Sequence, residues 1–327
     1  MQVQVQNNPV GESQQVVLTG RSIISVQDLD RAEIELVLQE AQRYQQCLQT
    51  GHRFRTLGGY VLATLFFEPS TRTRLSFESA MHRLGGSVIS TPDGRHTSSA
   101  VKGETIADTI RTVVSYADVI VQRHPSLGSA GEAARAARRS GIPVINAGDG
   151  AGEHPTQALL DLYTIQQERG SLDGLNVALV GDLKHGRTVH SLLKALCLWN
   201  VNVTLVSPES LHMPTDLVAQ LRANGAHINE TDSLERAARA ADVIYMTRIQ
   251  KERFADHSDY EALKGSFVID APFMRRHPQI TLMHPLPRVD EIAADVDDFE
   301  NAAYFRQAQN GLYVRMAVLA LVFGHRA

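Results

Sequence analysis

The sequence has few cysteines and no long apolar run, and both shortages narrow the class of protein. Only Cys47 and Cys197 are present among 327 residues, and both stand in apolar helical patterns. Two such thiols do not make a disulfide framework or a cysteine metal cluster, so we expect buried thiols in a reducing cytoplasm. No apolar stretch of about 18 residues indicates a membrane span, and the polar first 20 residues lack the pattern of an export signal.

The sequence also lacks a surplus of positive charge. Its formal net charge is -4, which argues against a broad nucleic-acid-binding surface, so any anion that it binds is expected to be small. With 43% hydrophobic residues the chain can bury a large core. Because 327 residues exceed what one core usually serves, we expect two domains of roughly 150 residues each.

Short apolar runs alternate with longer amphipathic stretches, which is typical of α/β proteins with parallel strands and crossover helices. Strands are predicted at 60–67, 87–90, 118–122, 143–146, 176–181, 202–206, 243–246, 266–270 and 281–283. Helices are predicted at 27–49, 71–85, 104–116, 128–139, 155–169, 187–199, 213–224, 232–240 and 309–323. We therefore predict two doubly wound parallel-sheet domains with helices on both faces. The predicted parts are a polar extension at 1–20, a first domain at 21–153 completed by the helix at 309–323, and a second domain at 154–308.

The stretch FEPSTRTRLSF gathers hydroxyl and guanidinium groups where a strand gives way to a helix. An apolar stripe with helical spacing follows, formed by Phe77, Ala80, Met81 and Leu84, so the helix should begin near Ser70–Thr73. The first N–H groups of a helix lack internal partners and its dipole favours negative charge, so these residues suit a phosphate. The alternative is an ordinary N-cap beside solvated arginines.

The two arginines of this stretch are expected to differ in role. Arg72 and Arg74 lie about 200° apart around a helix, so both cannot easily face one ligand. Arg74 has Glu78 four residues on and is expected to pair with it. We therefore assign Arg72 to the ligand and Arg74 to the structure.

Three polar residues in the first half could join the same site. Lys102 and Ser98 belong to a loop rich in Ser, Thr and Gly, where a solvated charge and a turn residue are the ordinary interpretations. Arg123 follows the predicted strand at 118–122, at the edge where open parallel sheets bind ligands. A surface charge is the alternative there.

The segment GEHPTQALLDLYTI has a pattern that capping alone explains poorly. Pro155 at the first helical position makes His154 the N-cap and places Gln157 one turn along on the same side. Histidine is a poor capping residue. A pair of hydrogen-bonding side chains aimed at a polar ligand is one interpretation, and a satisfied loop histidine with a capping glutamine is the other.

The second half offers further polar groups at strand ends. Arg187 opens a helix after VALVGDLKHG, which lacks G-x-G-x-x-G and so supports dinucleotide binding only weakly. Arg248 and Gln250 follow the strand at 243–246, where a solvated loop is the alternative. The prolines that flank Leu286 are expected to hold an extended backbone that presents the carbonyls of Pro285 and Leu286 to an amine, or simply to form a rigid turn.

Taken in order, these motifs resemble the aspartate/ornithine carbamoyltransferase superfamily. The motifs are F-x-E-x-S-T-R-T-R, S-S-x-x-K-G-E, R-H-P, H-P-T-Q, G-D-L-x-x-G-R-T-V-H-S, T-R-x-Q-x-E-R and H-P-L-P-R. The resemblance spans about residues 20 to 323. H-P-L-P, where ornithine enzymes typically show H-C-L-P, and Glu68 before S-T-R-T-R both favour the aspartate branch.

The resemblance implies a carbamoyl-phosphate domain, an aspartate domain and a homotrimer with active sites between chains. It implies a phosphate site formed by Ser70, Thr71, Arg72 and Thr73. It places around the carbamoyl group Arg123, His154 and Gln157. The neighbouring chain would supply Ser98 and Lys102, with Lys102 reaching both substrates. Aspartate would be held by Arg187, Arg248 and Gln250, beside the backbone of Pro285 and Leu286. Glu68 would organise the mobile arginines by ion pairing.

The implied reaction transfers the carbamoyl group of carbamoyl phosphate to the amine of L-aspartate, an early step of pyrimidine synthesis. The residues implied in catalysis are Arg72, Thr73, Lys102, Arg123 and His154, with His154 as a neutral donor, and no metal or cofactor is implied. Regulatory or dihydroorotase-like chains are the implied possible partners. The alternatives are a carbamoyltransferase for ornithine or a related amine and a non-catalytic anion-binding subunit, and a dehydrogenase is disfavoured by the missing glycine fingerprint.

Overall fold

The computed structural model describes residues 17–94, 102–250, 254 and 256–327, and its strands form two parallel sheets. The strands are β1 Val61–Phe66, β2 Ser87–Thr91, β3 Val119–His124, β4 Val144–Asp149, β5 Asn176–Val180, β6 Asn202–Val206, β7 His227–Thr231, β8 Val243–Met246 and β9 Thr281–Met283. The helices are α1 Arg31–Gln49, α2 Thr71–Arg83, α3 Ile106–Val113, α4 Ser129–Ala137, α5 Pro155–Arg169, α6 Arg187–Leu196, α7 Thr215–Ala223, α8 Leu234–Ala238, α9 His257–Leu263, α10 Ala271–Arg276 and α11 Tyr304–Val322. The described helices include none that is long and apolar enough to cross a bilayer.

Both sheets are doubly wound, as predicted. The first has the strand order β2-β1-β3-β4 and the second β7-β6-β5-β8-β9, and all paired strands run parallel. The chain progresses outwards in opposite directions from β1 and β3 in the first sheet, and from β5 and β8 in the second. Loops that leave the carboxyl ends of these neighbouring strands diverge and open a crevice, which is where such sheets bind ligands.

The two long helices α5 and α11 lie in the core of the molecule. α5 packs against α1, α6 and β4, and α11 packs against α1, α2 and α5. Their middles are buried on nearly every side, as expected of helices enclosed by other elements. The backbone N–H of Gly20 donates to Val322 at the end of α11, and Leu18 is buried in the same core.

The structure corrects the predicted elements of the second sheet. Residues 266–270 form no strand, because Ile269 pairs only with Ile292 of a loop, while Val268 is exposed. The strand β7 was not predicted, because it is an edge strand whose only buried residue is Ile228. α9 and α10 were also not predicted, and α11 begins five residues before the predicted helix at 309–323.

Candidate active site

A cavity of about 520 Å³ lies where the crevice at the carboxyl ends of β1 and β3 faces the crevice at the carboxyl ends of β5 and β8. We call these two crevices the switch points of the sheets. The loop after β1, the end of β3 and the loop after β4 line it from the first sheet, and the loops after β5, β8 and β9 line it from the second. The predicted residues that line it are Glu68, Ser70, Thr71, Arg72, Thr73, Arg123, His154, Gln157, Arg187, Arg248, Gln250, Pro285 and Leu286. The substrate that each one binds stays a prediction.

The start of α2 forms the anion-binding end of this cavity. Ser70 is the N-cap residue with extended backbone, but its hydroxyl makes no capping hydrogen bond, so it is available to a ligand. Arg72 lines the cavity. Arg74 instead pairs with Glu78, with Nη1 3.3 Å from Oε1, which confirms the predicted pair. Free N–H groups, hydroxyls and one guanidinium therefore converge at one helix end.

Glu68 joins two arginines across the cavity. Its Oε1 lies 3.0 Å from Arg123 Nη2 and 3.1 Å from Arg187 Nη2. The arginines also donate to backbone carbonyls, Arg123 to Ala147 at 3.2 Å and Arg187 to Gly150 at 2.7 Å. A carboxylate that accepts from both guanidinium groups offsets the repulsion between them.

A glycine allows these two arginines to approach each other. Gly148 has φ +120°, and a Cβ at this position would lie 3.0 Å from Arg187 Cζ and 3.1 Å from Arg123 Nη1. An L-residue would strain the backbone and crowd both guanidinium groups. The end of β4 therefore leaves the space in which both guanidinium groups lie.

Burial and the neighbouring charges shift the pKa values of Glu68 and Arg123. Burial alone would raise the pKa of Glu68, but the charges of Arg123 and Arg187 lower it below its usual value. Burial, with Arg187 nearby, lowers the pKa of Arg123 to about 10. Glu68 and Arg123 are therefore both charged at neutral pH.

His154 is buried at the start of α5, next to the arginine cluster. Its backbone N–H donates to Ser191 Oγ at 3.0 Å, and its Nδ1 is buried without a hydrogen-bond partner among the described residues. Burial, followed by the charges of Arg123 and Arg187, holds the pKa of His154 well below its usual value. The imidazole is therefore neutral at pH 7, as predicted, and can donate a hydrogen bond but does not carry a charge.

Acid should destabilise the protein through three histidines, of which His154 and His284 are buried and His190 is half-buried. Burial lowers the pKa values of His154, His190 and His284, so below about pH 6.5 the unfolded chain binds protons that the native state does not. Each contributes a loss of up to about 1.4 kcal/mol per pH unit to the free energy of unfolding. Asp161, whose pKa burial raises to about 7, acts in the opposite direction. We therefore expect a net loss of up to about 3 kcal/mol per unit below pH 6.5.

Calorimetry of the unfolding transition between pH 7.5 and 5.5 measures this loss. Of the three histidines, His190 is the one that does not line the cavity. The variant His190→Gln should reduce the dependence of Tm on pH. The control His82→Gln removes an exposed histidine of α2 and should not. A Tm that stays constant or rises on acidification would contradict the expectation.

The second sheet supplies the opposite wall of the cavity. Arg248 and Gln250 follow β8, and the backbone N–H of Gln250 donates to Asp182 Oδ2 at 3.4 Å. Of the two interpretations of the segment around Leu286, the extended backbone is wrong and the turn is correct. Leu286 has φ 51° and precedes a cis peptide bond, and its N–H donates to His284 Nδ1 at 2.8 Å. This hydrogen bond turns the chain back on itself directly after β9.

Of the two predicted residues of the Ser/Thr/Gly-rich loop, Lys102 does not join this cavity. It is exposed and is not among the described residues that line the cavity. Ser98 lies outside the described residues. If Lys102 acts on the substrates, as the resemblance implies, it does so in the site of another chain.

Several polar residues of the site were not predicted from the sequence. Arg315 of α11 is buried, lies over the ring of Phe77 at 5.0 Å, and has a pKa that burial lowers to about 9. A single arginine in the apolar run GLYVRMAVLALV is the signal that could have revealed it. Asp161 and Gln307 are buried beside the cavity and hydrogen-bonded to each other. Within the described part of the chain, no group of three or more His, Cys, Asp or Glu side chains is arranged to hold a metal.

Fold and site together define a class: a two-domain α/β protein with anion-binding groups at the switch points of both sheets. Residues 21–167 match the family model for the carbamoyl-phosphate-binding domain of aspartate/ornithine carbamoyltransferases. Residues 173–322 match the model for their aspartate/ornithine-binding domain. The chain therefore belongs to the aspartate/ornithine carbamoyltransferase family.

Relatives extend over almost the entire chain. It is 53% identical over 306 residues to the aspartate carbamoyltransferase catalytic subunit of Thermococcus gammatolerans, covering 93% of this chain and 98% of that protein. It is 51% identical to the chloroplastic aspartate carbamoyltransferase of Arabidopsis thaliana, covering 92% of this chain and 77% of that protein.

Solved structures agree. The catalytic subunit of Methanocaldococcus jannaschii aspartate transcarbamoylase superposes with a TM-score of 0.84 at 50% identity, covering 91% and 96% of the two chains. The Trypanosoma cruzi enzyme in complex with carbamoyl phosphate and aspartate superposes with a TM-score of 0.88 at 44% identity, covering 95% and 98%.

Proposed function

We propose that the protein transfers the carbamoyl group of carbamoyl phosphate to the amine of L-aspartate, giving N-carbamoyl-L-aspartate and phosphate. The observation that carries this proposal is one cavity with a phosphate-type helix start on one wall and Arg187 and Arg248 on the other. Arginine suits phosphate and carboxylates because its planar guanidinium group binds them bidentately. The cavity thus provides positive charge for two anions that repel each other in water.

The reaction needs stabilisation of charge more than it needs a base. The aspartate amine attacks the carbamoyl carbon, and negative charge develops on the carbonyl oxygen. Thr73, Arg123 and neutral His154 are the donors proposed for that oxygen, where they stabilise the transition state more than the ground state. The C–O bond to phosphate then breaks, and the departing phosphate, held by Ser70–Arg72, accepts the proton of the amine.

The charges in the cavity favour aspartate over ornithine. Ornithine ends in an ammonium group, which needs a carboxylate partner. Among the described residues that line the cavity, the only carboxylate is Glu68, and it is already paired with Arg123 and Arg187. A second carboxylate on the substrate is the group that Arg248 and Arg187 would complement. A non-catalytic subunit is disfavoured because Lys102, Arg123 and His154 are all present.

We further propose a homotrimer with shared sites. β2 is the edge strand of the first sheet, and Ile89 on it is 42% exposed. Lys102 follows this edge strand along the chain and lies outside the cavity of its own chain. A neighbouring chain that covers the edge strand would receive Lys102 in its own site, and the relatives that carry the word subunit in their names fit such an assembly.

The chemistry of the product suggests its use. N-carbamoyl-L-aspartate contains the six atoms of a pyrimidine ring and closes that ring by loss of water. We therefore propose a role early in de novo pyrimidine (UMP) synthesis, in the cytoplasm, where Cys47 and Cys197 would remain the free thiols that they are here. Regulatory or dihydroorotase-like partner chains also stay a proposal.

The test is a carbamoylation assay with L-aspartate and L-ornithine side by side, with the particle mass measured in the same buffer. We expect carbamoyl-aspartate from a particle of three chains, with ornithine turnover lower by about 10³-fold or more, because its ammonium group would have no partner. Preferred use of ornithine would overturn the specificity argument. Inactivity with both amines would support a binding role.

A further inference from the structure

Asp161 lies in the middle of α5, fully buried, and receives hydrogen bonds from three elements. Gln157 Nε2, one turn earlier on α5, lies 2.9 Å from its Oδ1. Gln307 Nε2 of α11 lies 2.6 Å from the same oxygen, and Tyr245 Oη of β8 lies 2.8 Å from Oδ2. These four residues, here called the Asp161 cluster, connect both domains behind the cavity.

Burial raises the pKa of Asp161 to about 7, so above pH 7 it is mainly a carboxylate. In that form it only accepts hydrogen bonds and fixes which end of each neighbouring amide faces it. Gln157 and Gln307 must both turn their NH₂ groups towards Asp161 and their carbonyl oxygens away. Gln307 obeys this rule, because its Oε1 accepts the backbone N–H of His284 at 2.8 Å. Gln157 lines the cavity, so its carbonyl oxygen is the end left to meet a ligand.

The same carboxylate also reaches the loop after β9. Through Gln307 it holds the backbone of His284, whose Nε2 lies 2.7 Å from Glu291 and whose Nδ1 accepts the N–H of Leu286. His284 thus anchors the turn that brings Pro285 and Leu286 to the cavity wall. One carboxylate therefore positions acceptors on two sides of the cavity.

We propose that Asp161 is a positioning residue that makes the site selective for an acyl phosphate bearing an amino group. By orienting Gln157, it presents a carbonyl acceptor to the NH₂ of the carbamoyl group. An acyl phosphate with a methyl group in that place leaves the acceptor unpaired, which weakens its binding. This inference rests on the proposed function and adds the origin of its selectivity.

The test compares two acyl phosphates and phosphate itself in Asp161→Asn. Asparagine keeps the size but offers an NH₂ group, so the Gln157 amide is no longer forced into one orientation. We expect kcat/KM for carbamoyl phosphate to fall about 10- to 100-fold. The inhibition constants of acetyl phosphate and inorganic phosphate, measured against carbamoyl phosphate, should change less than about threefold, because neither ligand donates to Gln157.

A donor–acceptor exchange gives a second variant that remains informative if Asp161→Asn folds poorly. In the double variant Gln157→Glu with Asp161→Asn, the introduced asparagine side chain can donate to the new carboxylate, which again presents an acceptor to the cavity. We expect it to recover at least about tenfold in kcat/KM for carbamoyl phosphate relative to the variant Gln157→Glu. No recovery would overturn the proposal.

A matched control separates selectivity from packing. Thr164 also lies on α5, is buried, and accepts a hydrogen bond from Asn310 of α11 at 3.0 Å, but it has no contact with Gln157. Thr164→Ala should leave the ratio of carbamoyl phosphate to acetyl phosphate affinity unchanged. The positioning role would be overturned if Asp161→Asn weakened the binding of all three ligands equally. It would also be overturned if Thr164→Ala changed the ratio of carbamoyl phosphate to acetyl phosphate affinity as much as Asp161→Asn does. A wild-type chain that does not carbamoylate aspartate would instead overturn the proposed function.

Discussion

Replacing Arg72 by alanine should lower kcat/KM for carbamoyl phosphate by about 10³-fold while the fold stays intact. Its guanidinium lines the cavity beside the hydroxyl of Ser70, which makes no capping hydrogen bond. Both residues lie at the start of α2, where the helix dipole favours an anion. Charge on the phosphate grows as the C–O bond breaks, so the loss should fall mainly on kcat. Phosphate should also become a weaker inhibitor.

The neighbouring Arg74→Ala is the matched control for this result. It removes the same side chain two positions along the same helix, but Arg74 is paired with Glu78, which also accepts from Thr64 and Ser90. We expect kcat/KM to change less than about threefold and the free energy of unfolding to fall by about 1 kcal/mol or less. Steady-state kinetics and thermal unfolding of both variants measure the two effects. Near-normal activity of Arg72→Ala, or equal losses in both variants, would refute the phosphate assignment.

The parts of the site that were predictable from the sequence share a local cause. A helix start, an N-cap and a strand end each leave a signal within a few residues, and parallel strands all end at one edge of the sheet. Ser70–Thr73 after β1 and Arg123 at the end of β3 could therefore be placed in one crevice from local signals, whereas only the family resemblance placed Arg187 with them. The fold class follows from the same alternation of strands and helices.

The parts that were missed depend on contacts between distant segments. Asp161 interrupts an apolar helix, and two of its three partners, Gln307 and Tyr245, reach it from other elements. The turn at Leu286 depends on the hydrogen bond to His284, whereas the flanking prolines by themselves leave extended backbone and a turn both open. The edge strand β7 buries a single residue, so its sequence carries almost no apolar pattern.

The Glu68 carboxylate explains how the guanidinium groups of Arg123 and Arg187 can lie close together when no ligand is bound. Arg123 and Arg187 approach each other over Gly148, and Glu68 lies between them. When a substrate carboxylate arrives, it can replace Glu68 as the partner of Arg187, because both are carboxylates of the same geometry. We propose that the ion pair keeps Arg187 in place until a substrate carboxylate replaces Glu68.

Mixing two inactive variants should restore activity if the site is shared between chains. In a trimer assembled from equal amounts of Arg72→Ala and Lys102→Ala chains, a site is intact when its own chain retains Arg72 and its neighbour retains Lys102. Random assembly gives about a quarter of the sites that combination, so about a quarter of the wild-type activity is expected. The physical reason is that Arg72 lines the cavity of its own chain whereas Lys102 does not.

The control mixture combines Arg72→Ala with Arg123→Ala. Both arginines line the cavity of the same chain, so every site in such a mixture lacks one of them and activity should stay at the level of the separate variants. The chains are denatured, mixed and refolded, and mixed particles are verified by differently tagged copies before the assay. Recovery in both mixtures would point to chain exchange of another kind, and recovery in neither would show that Lys102 does not act in a neighbouring site.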